Sequence, residues 1–417
     1  MREMKDSGIS WVGEIPTNWT IGRIGGLYSL RNQKVSDKDY EPLSVTMKGV
    51  LPQLETAAKT NDGDNRKLVR KGDFAINSRS DRRGSCGIAD RDGSVSLIKT
   101  ILKPRNQMNA RYYNWLFHTP MFADEFYKWG HGIVDDLWST NWEEMKKIQI
   151  SVPSCVEQQR IAEFLDRECG KIDGLKADIQ AQIDTLEQYK RSIITEAVTH
   201  GLNPSAPMKD SGAGWMPLIP LHWKADKLKF HLRQRGIKNQ IDKQVLSLYR
   251  EYGIVPKDSR DDNHNVTSED VSDYRYVRVG DFVVNKMKAW QGSVAVSNYE
   301  GIVSPAYFVY EFSDDLINKR YFHYLMRNKT YAIEFRRLSG GIREGQWDLP
   351  SEALNNTIIL LPPLDEQQEI ADYLDNKCAE IEQIITDKKT QLETLDGYKK
   401  SLIYEYVTGK KEVICDG

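Results

Sequence analysis

The ten residues EQQRIAEFLD, at Glu157–Asp166, return almost unchanged as EQQEIADYLD at Glu366–Asp375, 209 positions later. Each copy follows closely after a proline, Pro153 in the first and Pro362 in the second. A proline shortly before a run of good helix formers is typical of a helix start. The repeat therefore predicts two long helices that begin at equivalent places in a duplicated chain.

Apolar residues recur every seven positions after each start, which is the pattern of a coiled-coil seam. The first series is Leu165, Ile172, Ile179, Leu186 and Ile193, and the second is Leu374, Ile381, Leu395 and Leu402. We expect the first stripe to be widened by Ile161, Cys169, Leu175, Ile183 and Tyr189. A helix with one apolar stripe needs a partner, and antiparallel pairing of the two helices is the arrangement we favour.

Lys388 replaces the middle member of the second series. The residues Ile384, Ile385 and Leu392 are close enough in sequence to keep the apolar stripe continuous. We therefore expect Lys388 to interrupt the seam without ending the coiled coil.

Further matched segments extend the repeat over the chain. KDSGISW (Lys5–Trp11) returns as KDSGAGW (Lys209–Trp215), and GDFAIN (Gly72–Asn77) returns as GDFVVN (Gly280–Asn285). The spacing drifts by only a few residues, as small loop insertions would cause. A period near 200 residues is far longer than that of a solenoid repeat, so the pattern indicates tandem duplication of a whole unit.

Each unit reads as an α+β globular part followed by one long helix. KLVRKGDFAIN and YVRVGDFVVN predict strand, tight turn and strand, whereas ARYYNWLFHTPMFADEFYKW and NKRYFHYLMRNKTYAIEFRRL predict helices. The expected division is a first globular part at 1–153, a helix at 154–200, a linker at 201–214, a second globular part at 215–362, a helix at 363–409 and a tail at 410–417.

Bulk composition excludes several classes of protein. The 417 residues contain no run of about 18 apolar residues, which a membrane-spanning helix needs, and the first residues do not resemble a secretory signal. Five cysteines without a CxxC pair argue against a disulfide framework or a zinc cluster. We expect a protein of the reducing cytoplasm.

The net charge of −2 hides strong segregation along the chain. Arg66–Arg111 carries twelve basic and four acidic residues, and Lys224–Gln291 carries fourteen and ten. By contrast, Glu157–His200 carries six basic and nine acidic residues, and Asp365–Thr408 carries five and eleven. The globular parts are thus locally basic and the long helices acidic.

Catalytic motifs are missing from the sequence. It contains no GxxxxGK[ST] phosphate loop and no HExxH zinc motif. A nuclease carboxylate set can be assembled from Asp135, Asp136 and Glu144, but the second unit has Glu352–Leu354 where it should repeat. We expect a non-catalytic chain, with a stand-alone two-lobed nuclease as one alternative.

The most informative difference between the copies lies inside a shared frame. After GDFAIN the first copy continues with Ser78–Arg83, and after GDFVVN the second continues with Lys286–Gln291, each followed by Gly-Ser. Two domains that recognise two different DNA sequences should keep the same flanking scaffold residues and differ in the residues between them. The candidate DNA-binding residues are Ser78, Arg79, Arg82 and Arg83, and Lys286, Lys288, Trp290 and Gln291. The alternative is a pair of solvated basic turns.

Aromatic residues elsewhere have the spacing of core positions. Tyr112, Tyr113 and Trp115, like their counterparts Tyr321, Phe322 and Tyr324, follow helical spacing and are expected to pack inward. The Trp-Ile-Pro-Trp pattern at Trp11–Trp19 and Trp215–Trp223 is expected to be a packing clasp.

Together these segments resemble the specificity (S) subunit of type I restriction-modification systems. The matching pieces are WVGEIPTNW, VPSCVEQQRIAEFLD and YKRSIITEAVTHG in the first unit, and WMPLIPLHW, LPPLDEQQEIADYLD and YKKSLIYEYVTGK in the second. The resemblance covers essentially the whole chain, and its duplicated helix start is highly specific.

The resemblance implies that each globular part is a target-recognition domain for one half of a bipartite, asymmetric sequence in double-stranded DNA. It implies an antiparallel coiled coil that sets the gap between the half-sites. It also implies two methyltransferase (M) subunits that modify adenines with S-adenosylmethionine, and two motor-nuclease (R) subunits that use ATP and Mg²⁺. No cofactor is expected in this chain itself. A coiled-coil adaptor that does not read DNA is the remaining alternative.

Overall fold

The structure is a computed structural model, and it describes residues 2–53, 63–79, 83–105, 108–132, 138–250, 252–259, 267–341 and 347–413. The chain divides into two compact units. The first unit contains Met1–Ile179 and Lys389–Gly417, and the second contains Gln180–Lys388. Each unit therefore holds one globular part and a portion of both long helices.

The first copy forms strands β1 Met4–Asp6, β2 Glu14–Pro16, β3 Thr20–Arg23, β4 Tyr28–Arg31, β5 Lys34–Val35, β6 Leu43–Thr46, β7 Gly49–Pro52, β8 Arg66–Val69, β9 Phe74–Asn77, β10 Cys86–Ile88, β11 Gly93–Val95, β12 Lys99–Pro104 and β13 Gln149–Val152. Its helices are α1 Ile24–Leu27, α2 Ala110–Phe117, α3 Pro120–Lys128, α4 Trp142–Met145 and the long α5 Cys155–His200.

The second copy forms strands β14 Met208–Ala213, β15 Met216–Pro220, β16 Lys224–Lys227, β17 Leu232–Arg235, β18 Leu246–Tyr249, β19 Gly253–Pro256, β20 Arg275–Val277, β21 Phe282–Asn285, β22 Val294–Val296, β23 Gly301–Val303, β24 Tyr307–Phe312 and β25 Ile358–Leu361. Its helices are α6 Lys319–Arg327, α7 Lys329–Leu338, α8 Ser351–Asn355 and the long α9 Leu364–Val407. Short 3₁₀ turns lie at Leu228–Phe230, Lys257–Ser259 and Ala289–Gln291.

The same four-stranded antiparallel sheet lies at the centre of both globular parts. Its order is β10-β9-β12-β4 in the first unit and β22-β21-β24-β17 in the second. The predicted strand, turn and strand around GDF are confirmed. The two strands do not pair with each other, because β8 pairs with β11 and β5 whereas β9 pairs with β10 and β12. The GDF turn thus carries the chain from one sheet to another.

The predicted aromatic helices are each two helices. Thr119 caps α3 by accepting a hydrogen bond from the Phe122 amide, and Pro120 occupies the first turn. Asn328 plays the same part at the start of α7. The expected core residues Tyr112, Tyr113, Tyr321 and Phe322 are fully buried, so that prediction is confirmed for them.

The remaining aromatic pair connects each globular part to its long helix. Trp115 and Tyr324 are only half-buried. The Trp115 indole donates to Asp166 at 2.7 Å, and the Tyr324 hydroxyl donates to Asp375 at 2.7 Å. These two residues pack at the helix surface rather than inside the core.

The EQQ segment joins each globular part to its long helix through buried hydrogen bonds. The buried Trp19 indole donates to Glu157 at 2.8 Å, and the buried Trp223 indole donates to Glu366 at 3.0 Å. These bonds explain why the Trp clasp and the EQQ segment occur together in both copies.

The following glutamine, Gln158 or Gln367, is equally buried. Its carbonyl oxygen accepts from the amide of Asn109 or Asn318 at 2.8 Å in both units. Its amide group donates to the carbonyl of the preceding proline at 2.9 Å, again in both units. One side chain therefore satisfies a backbone carbonyl before the long helix and a backbone amide before the aromatic helix.

Helices α5 and α9 pair antiparallel, as predicted. In the first unit Lys176 binds Asp396, and Lys399 binds Asp173 at 2.6 Å. In the second unit Lys190 binds Glu382. Positions late in one helix thus meet positions early in the other.

The buried face of each long helix follows alternating steps of four and three residues. The predicted Leu165, Ile172, Leu374 and Ile381 are buried, and so are Cys169, Ile183, Cys378 and Ile385 at the intervening seam positions. Leu186, Ile179, Ile193 and Leu395 are half-buried, and Leu402 is buried.

Two predicted members of the first stripe are wrong. Leu175 and Tyr189 are exposed, because Lys176 and Lys190 occupy the seam positions beside them. In the second stripe Ile384 is exposed too, whereas Ile385 lies inside. Lys388 lies half-buried at its seam position, as its place in the seven-residue series predicts.

Each long helix ends in the core of a globular part. Ala197 and Val198 of α5 belong to the second unit's main core, and Leu402 and Val407 of α9 belong to the first unit's. No helix within the described ranges has both the length and the apolar character to cross a membrane.

Candidate nucleic-acid interface

A loop of the same length joins two strands of the central sheet in each unit. We name the residues 78–84, between β9 and β10, the first loop, and the residues 286–292, between β21 and β22, the second loop. Residues 80–82 of the first loop, including the candidate Arg82, lie outside the described ranges.

The two loops are closed by equivalent backbone hydrogen bonds. The Asn77 amide donates to the Ser85 carbonyl at 2.9 Å, and the Asn285 amide donates to the Ser293 carbonyl at 3.1 Å. The glycine that ends each loop has a left-handed backbone, with φ of +73° in the first and +87° in the second, a conformation that glycine adopts without steric cost. The frame predicted from the sequence is thus a matched backbone structure.

A buried aspartate of the GDF segment lies directly before the strand that leads into each loop. Asp73 accepts from the Arg70 amide at 2.9 Å and binds the Arg31 guanidinium at 3.1 Å. Asp281 accepts from the Arg278 amide at 2.7 Å and forms an ion pair with Arg235.

Burial raises the pKa of Asp281, an effect that the hydrogen bond from the Arg278 amide and the charge of Arg235 oppose. Each aspartate, with its arginine, therefore holds the turn before β9 or β21, at the opposite end of the strand from the loop, and is a buried supporting group of the frame.

An arginine of the first loop is stacked on an aromatic pair. The Arg83 guanidinium lies 3.7 Å from the centroid of the Tyr127 ring and donates to Asp124 at 3.3 Å. Tyr127 in turn packs on Trp138, with ring centroids 5.5 Å apart. Gly130 has no room for a side chain because the Trp138 indole lies against it. The Tyr127 and Trp138 rings thus form an aromatic platform, and the Arg83 guanidinium makes a cation–π contact with its Tyr127 ring.

The second loop forms a corresponding cluster with the parts exchanged. Trp290 packs on Trp347 with centroids 5.5 Å apart, and the Arg336 guanidinium lies 5.9 Å from the Trp347 ring. Tyr127 and Arg336 are 209 residues apart, as are Trp138 and Trp347. In the first unit the loop residue is the cation, Arg83, and the helix residue is the aromatic Tyr127. In the second unit the loop residue is the aromatic Trp290, and the helix residue is the cation Arg336.

Four residues of these clusters were not among the predicted site residues: Tyr127, Trp138, Arg336 and Trp347. The signal was present, since these residues occupy equivalent places in the repeat. These residues come close to the loops because of how the aromatic helices pack against the loops. The sequence pattern does not reveal that packing.

The predicted site residues differ in how far they are already engaged. Arg79, Lys288 and Gln291 are exposed. The Ser78 hydroxyl pairs with that of Thr100 at 2.9 Å, and the Lys286 ammonium donates to Asp348 at 3.2 Å. The Trp290 indole donates to the Met287 carbonyl at 3.1 Å, within its own loop. All of them remain predictions as DNA contacts.

The exposed groups are donors suited to nucleic acid. An arginine can donate two hydrogen bonds to guanine, a glutamine matches the edge of adenine, and a lysine binds a phosphate as a point charge. The two strands that flank each loop are joined by the closing hydrogen bond of the frame.

The alternative nuclease set has no support among the described residues. Asp135 and Asp136 lie outside the described ranges, and Glu144 forms an ion pair with Lys147 at 3.0 Å. Within those ranges no three His, Cys, Asp or Glu side chains are grouped so that they could hold a metal ion.

Comparison with known proteins gives consistent matches over most of the chain. The family described as the type I restriction modification DNA specificity domain matches residues 16–185 and 237–394. The chain is 24% identical over 433 aligned positions to the type I restriction enzyme MjaVIII specificity subunit of Methanocaldococcus jannaschii, covering 96% of this chain and 94% of that protein.

Solved structures share the fold. One chain, from work on complex assembly and conformational transition of the type I R-M system, has a TM-score of 0.70 at 12% identity, covering 95% of this chain and 99% of its own. The HsdS subunit from Thermoanaerobacter tengcongensis has a TM-score of 0.51 at 13% identity, covering 95% and 98%.

The sequence family matches twice, at the two copies of the repeat that the structure shows as two similar units. The chain belongs to the type I restriction modification DNA specificity family, and with two such domains in tandem it is a non-catalytic specificity subunit that recognises a DNA target.

Proposed function

We propose that the first and second units each read one half of a bipartite, asymmetric sequence in double-stranded DNA. The observation that carries this proposal is the pair of loops of equal length, closed by the same hydrogen bonds and filled with different side chains. A loop with a purely structural role is not expected to keep the same flanking residues in both copies while an arginine in one copy is replaced by a tryptophan in the other.

Within each loop the exposed donors are the proposed readers. Arg79 and Arg83 in the first loop suit guanine or phosphate, Gln291 in the second suits adenine, and Lys288 suits phosphate. Ser78, Lys286 and Trp290 stabilise the loops through the hydrogen bonds described above, and Arg82 belongs to the proposed set by its sequence position.

The rest of the proposal concerns the assembly. The globular parts 1–153 and 215–362 act as target-recognition domains, and the helices 154–200 and 363–409 set the gap between the half-sites. Two methyltransferase subunits, with S-adenosylmethionine, and two motor-nuclease subunits, with ATP and Mg²⁺, bind this scaffold in the cytoplasm. The acidic long helices support contacts with protein rather than DNA.

The test is a substitution in one loop, read out as the methylation pattern of cellular DNA. The chain is co-expressed with its methyltransferase subunit, and the modified motif is determined by methylation-sensitive sequencing. Gln291→Ala is expected to relax one base position in only one half-site by about tenfold or more, because a good bidentate contact contributes about 1–3 kcal/mol of discrimination. Arg79→Ala is expected to relax the other half-site.

Gln188→Ala is the matched control, because this exposed glutamine lies on the long helix α5, outside both loops. The control should leave the motif unchanged. If the loop variants change both half-sites equally, or leave both intact, the loops do not read the target.

A further inference from the structure

A β-hairpin lies beside the loop in each unit. In the first unit β6 and β7 pair around a turn at residues 47–48, which we name the first tip. In the second unit β18 and β19 pair around a turn at residues 250–252, which we name the second tip. Neither tip belongs to the candidate interface described above.

Each hairpin packs against the strand that leaves its loop. In the first unit a side-chain carbon added at Gly87 of β10 would lie 2.7 Å from the Gly49 Cα, so the two backbones are in contact. In the second unit a carbon added at Gly253 would lie 3.5 Å from the Ala295 Cβ of β22. Gly87 and Ala295 each come three residues after the last residue of the loop. Because a strand advances about 3.3 Å per residue, each tip lies roughly 10–15 Å from the end of its loop.

Further contacts hold the hairpins in place. The Arg327 guanidinium, at the end of α6, donates to the Arg250 carbonyl at 2.8 Å and to the Val294 carbonyl at 3.2 Å. It thereby joins the second tip to the strand that leaves the second loop. In the first hairpin Val45 and Val50 are buried in one core cluster with residues of the central sheet. The hairpins are therefore fixed parts of their units.

The first tip exposes an apolar side chain next to a lysine. The Thr46 hydroxyl donates to the Gly49 carbonyl at 3.0 Å and accepts from the Lys48 amide at 3.0 Å, which closes the turn. Met47 is 72% exposed, more than any other large apolar side chain in the described part of the chain. Lys48 is exposed as well. The fold thus places both side chains of the turn outside its core.

The second tip exposes an aromatic side chain next to an arginine. Tyr252 is 57% exposed, and its ring lies edge-on to that of Tyr249 with centroids 6.4 Å apart. Arg250 is exposed. Glu251, between them in the sequence, lies outside the described ranges. One face of the hairpin turn therefore carries a large aromatic surface in contact with solvent.

The two tips share a chemistry while their residues differ. Each combines a basic side chain with a large exposed apolar or aromatic one, and each lies beside a loop whose contents also differ between the units. A protein partner common to both units would favour the same side chains in both tips, whereas two different DNA half-sites favour different ones. Methionine can pack between base steps, aromatic rings stack on bases, and basic side chains bind phosphates.

We propose that the two tips are a second DNA-contacting element of each unit. Met47 or Tyr252 packs against a base of the half-site, and Lys48 or Arg250 binds a nearby phosphate. This inference rests on the proposed function, which supplies the DNA. The separation of roughly 10–15 Å between tip and loop end corresponds to about three or four base pairs at roughly 3.4 Å each. Each unit therefore contacts a longer stretch of DNA than its loop alone can reach.

The test is photo-cross-linking in the complex with the co-expressed methyltransferase subunit. The photoreactive residue p-benzoylphenylalanine is placed at position 47 or 252, and the complex is irradiated on a labelled duplex that contains the methylated motif. Position 47 is expected to cross-link to the half-site that Arg79→Ala relaxes, and position 252 to the half-site that Gln291→Ala relaxes. The control is position 279, because Val279 is 64% exposed at the opposite end of β21 from the second loop. It is expected to cross-link at least tenfold less.

Alanine variants measure how much the tips contribute to binding. Met47→Ala and Tyr252→Ala are each expected to raise the Kd for the motif duplex about tenfold, as the loss of one contact with a base does. Fluorescence anisotropy at one fixed salt concentration measures the Kd. Leu30→Ala and Val279→Ala are the matched controls, since both residues are exposed and apolar but lie away from the tips. They should change the Kd by less than twofold.

The outcomes separate the inference from the function on which it rests. If positions 47 and 252 do not cross-link to DNA and both alanine variants bind like the controls, the tips do not contact DNA, although the loop variants can still uphold the proposed function. Cross-links to the methyltransferase subunit in place of DNA assign the tips to a protein contact and overturn the inference. If the unchanged complex binds the motif duplex no better than a random duplex, the proposed function fails as well.

Discussion

Gln158 and Gln367 illustrate what single residues do in this fold. Each side chain is buried and connects the start of a long helix with the loop before an aromatic helix. Glutamine is suited to this place because it carries one strong acceptor and two donors in a short planar group. A glutamate would lose the donors, and an alanine would leave both backbone partners unpaired.

Gln367→Ala is expected to lower the free energy of unfolding of the second unit by about 2–4 kcal/mol. The substitution leaves the Asn318 amide and the Pro362 carbonyl buried without this partner, and an unpaired buried group costs about 1–3 kcal/mol. Urea unfolding of the purified chain measures the change. Gln383→Ala, on the exposed surface of the same helix, should stay within about 0.5 kcal/mol of the unchanged chain. Equal stability of the two variants would show that the buried glutamine is not an anchor.

At the scale of elements, the seam of the coiled coil contains more lysines than the single Lys388 that was expected. Lys176, Lys190 and Lys399 lie at seam positions, and each forms an ion pair with an acidic residue of the opposite helix. Lys388 donates to Gln182 in the same way. Their aliphatic stems cover the seam while their charged ends reach the rim. Because each lysine has its own partner, these pairs favour one register over shifted alternatives.

Matched insertions in both long helices are expected to widen the gap in the recognised DNA sequence. Seven residues that continue the seam, added after Gln182 and again after Lys388, keep every existing layer in place. They add a rise of about 10 Å, or about three base pairs at roughly 3.4 Å each. The methylated motif of cells that express the variant measures the gap.

Insertion into α5 alone is the informative control. The added residues then have no facing layer in α9, so the coiled coil should lose stability without producing a defined wider gap. A gap that stays the same after the matched insertion would contradict the role of the helices as a spacer.

At the scale of the whole molecule, each long helix completes a globular core at its far end. The Tyr112 hydroxyl of the first unit donates to the Val407 carbonyl at 2.8 Å, and the Tyr321 hydroxyl of the second donates to the Val198 carbonyl at 3.4 Å. Val198 is joined to the strand β14 by a short connection that begins at Gly201. In the first unit the corresponding Gly409 lies against Pro16 and Trp19, close to the strand pair β1–β2.

This equivalence predicts that a circular permutant will fold. In this permutant a copy of the connection Leu202–Ala206 is inserted between Gly409 and Glu3. There it should take the place that the original connection has between Gly201 and Pro207. The chain is then opened before Pro207. We expect the permutant to keep the thermal unfolding midpoint within a few degrees and to methylate the same DNA motif. Opening the chain between Ser78 and Arg79 instead should impair one half-site, because that cut lies in the first loop. A permutant that does not fold would contradict the equivalence of the two connections.

The sequence by itself determined the duplication, the two long helices and the frame around the loops, whereas it only favoured the antiparallel pairing that the structure shows. It could do so because heptad spacing, turn glycines and repeated segments are properties of neighbouring residues, which a pattern along the chain records. Only the tertiary structure decided which residues enter the seam, so that Leu175 and Tyr189 are exposed beside the half-buried Lys176 and Lys190. Only the tertiary structure brought Tyr127 and Trp138 to Arg83, and Trp347 and Arg336 to Trp290. These choices depend on packing between segments far apart in the chain, where shape and the burial of charge outweigh the local pattern.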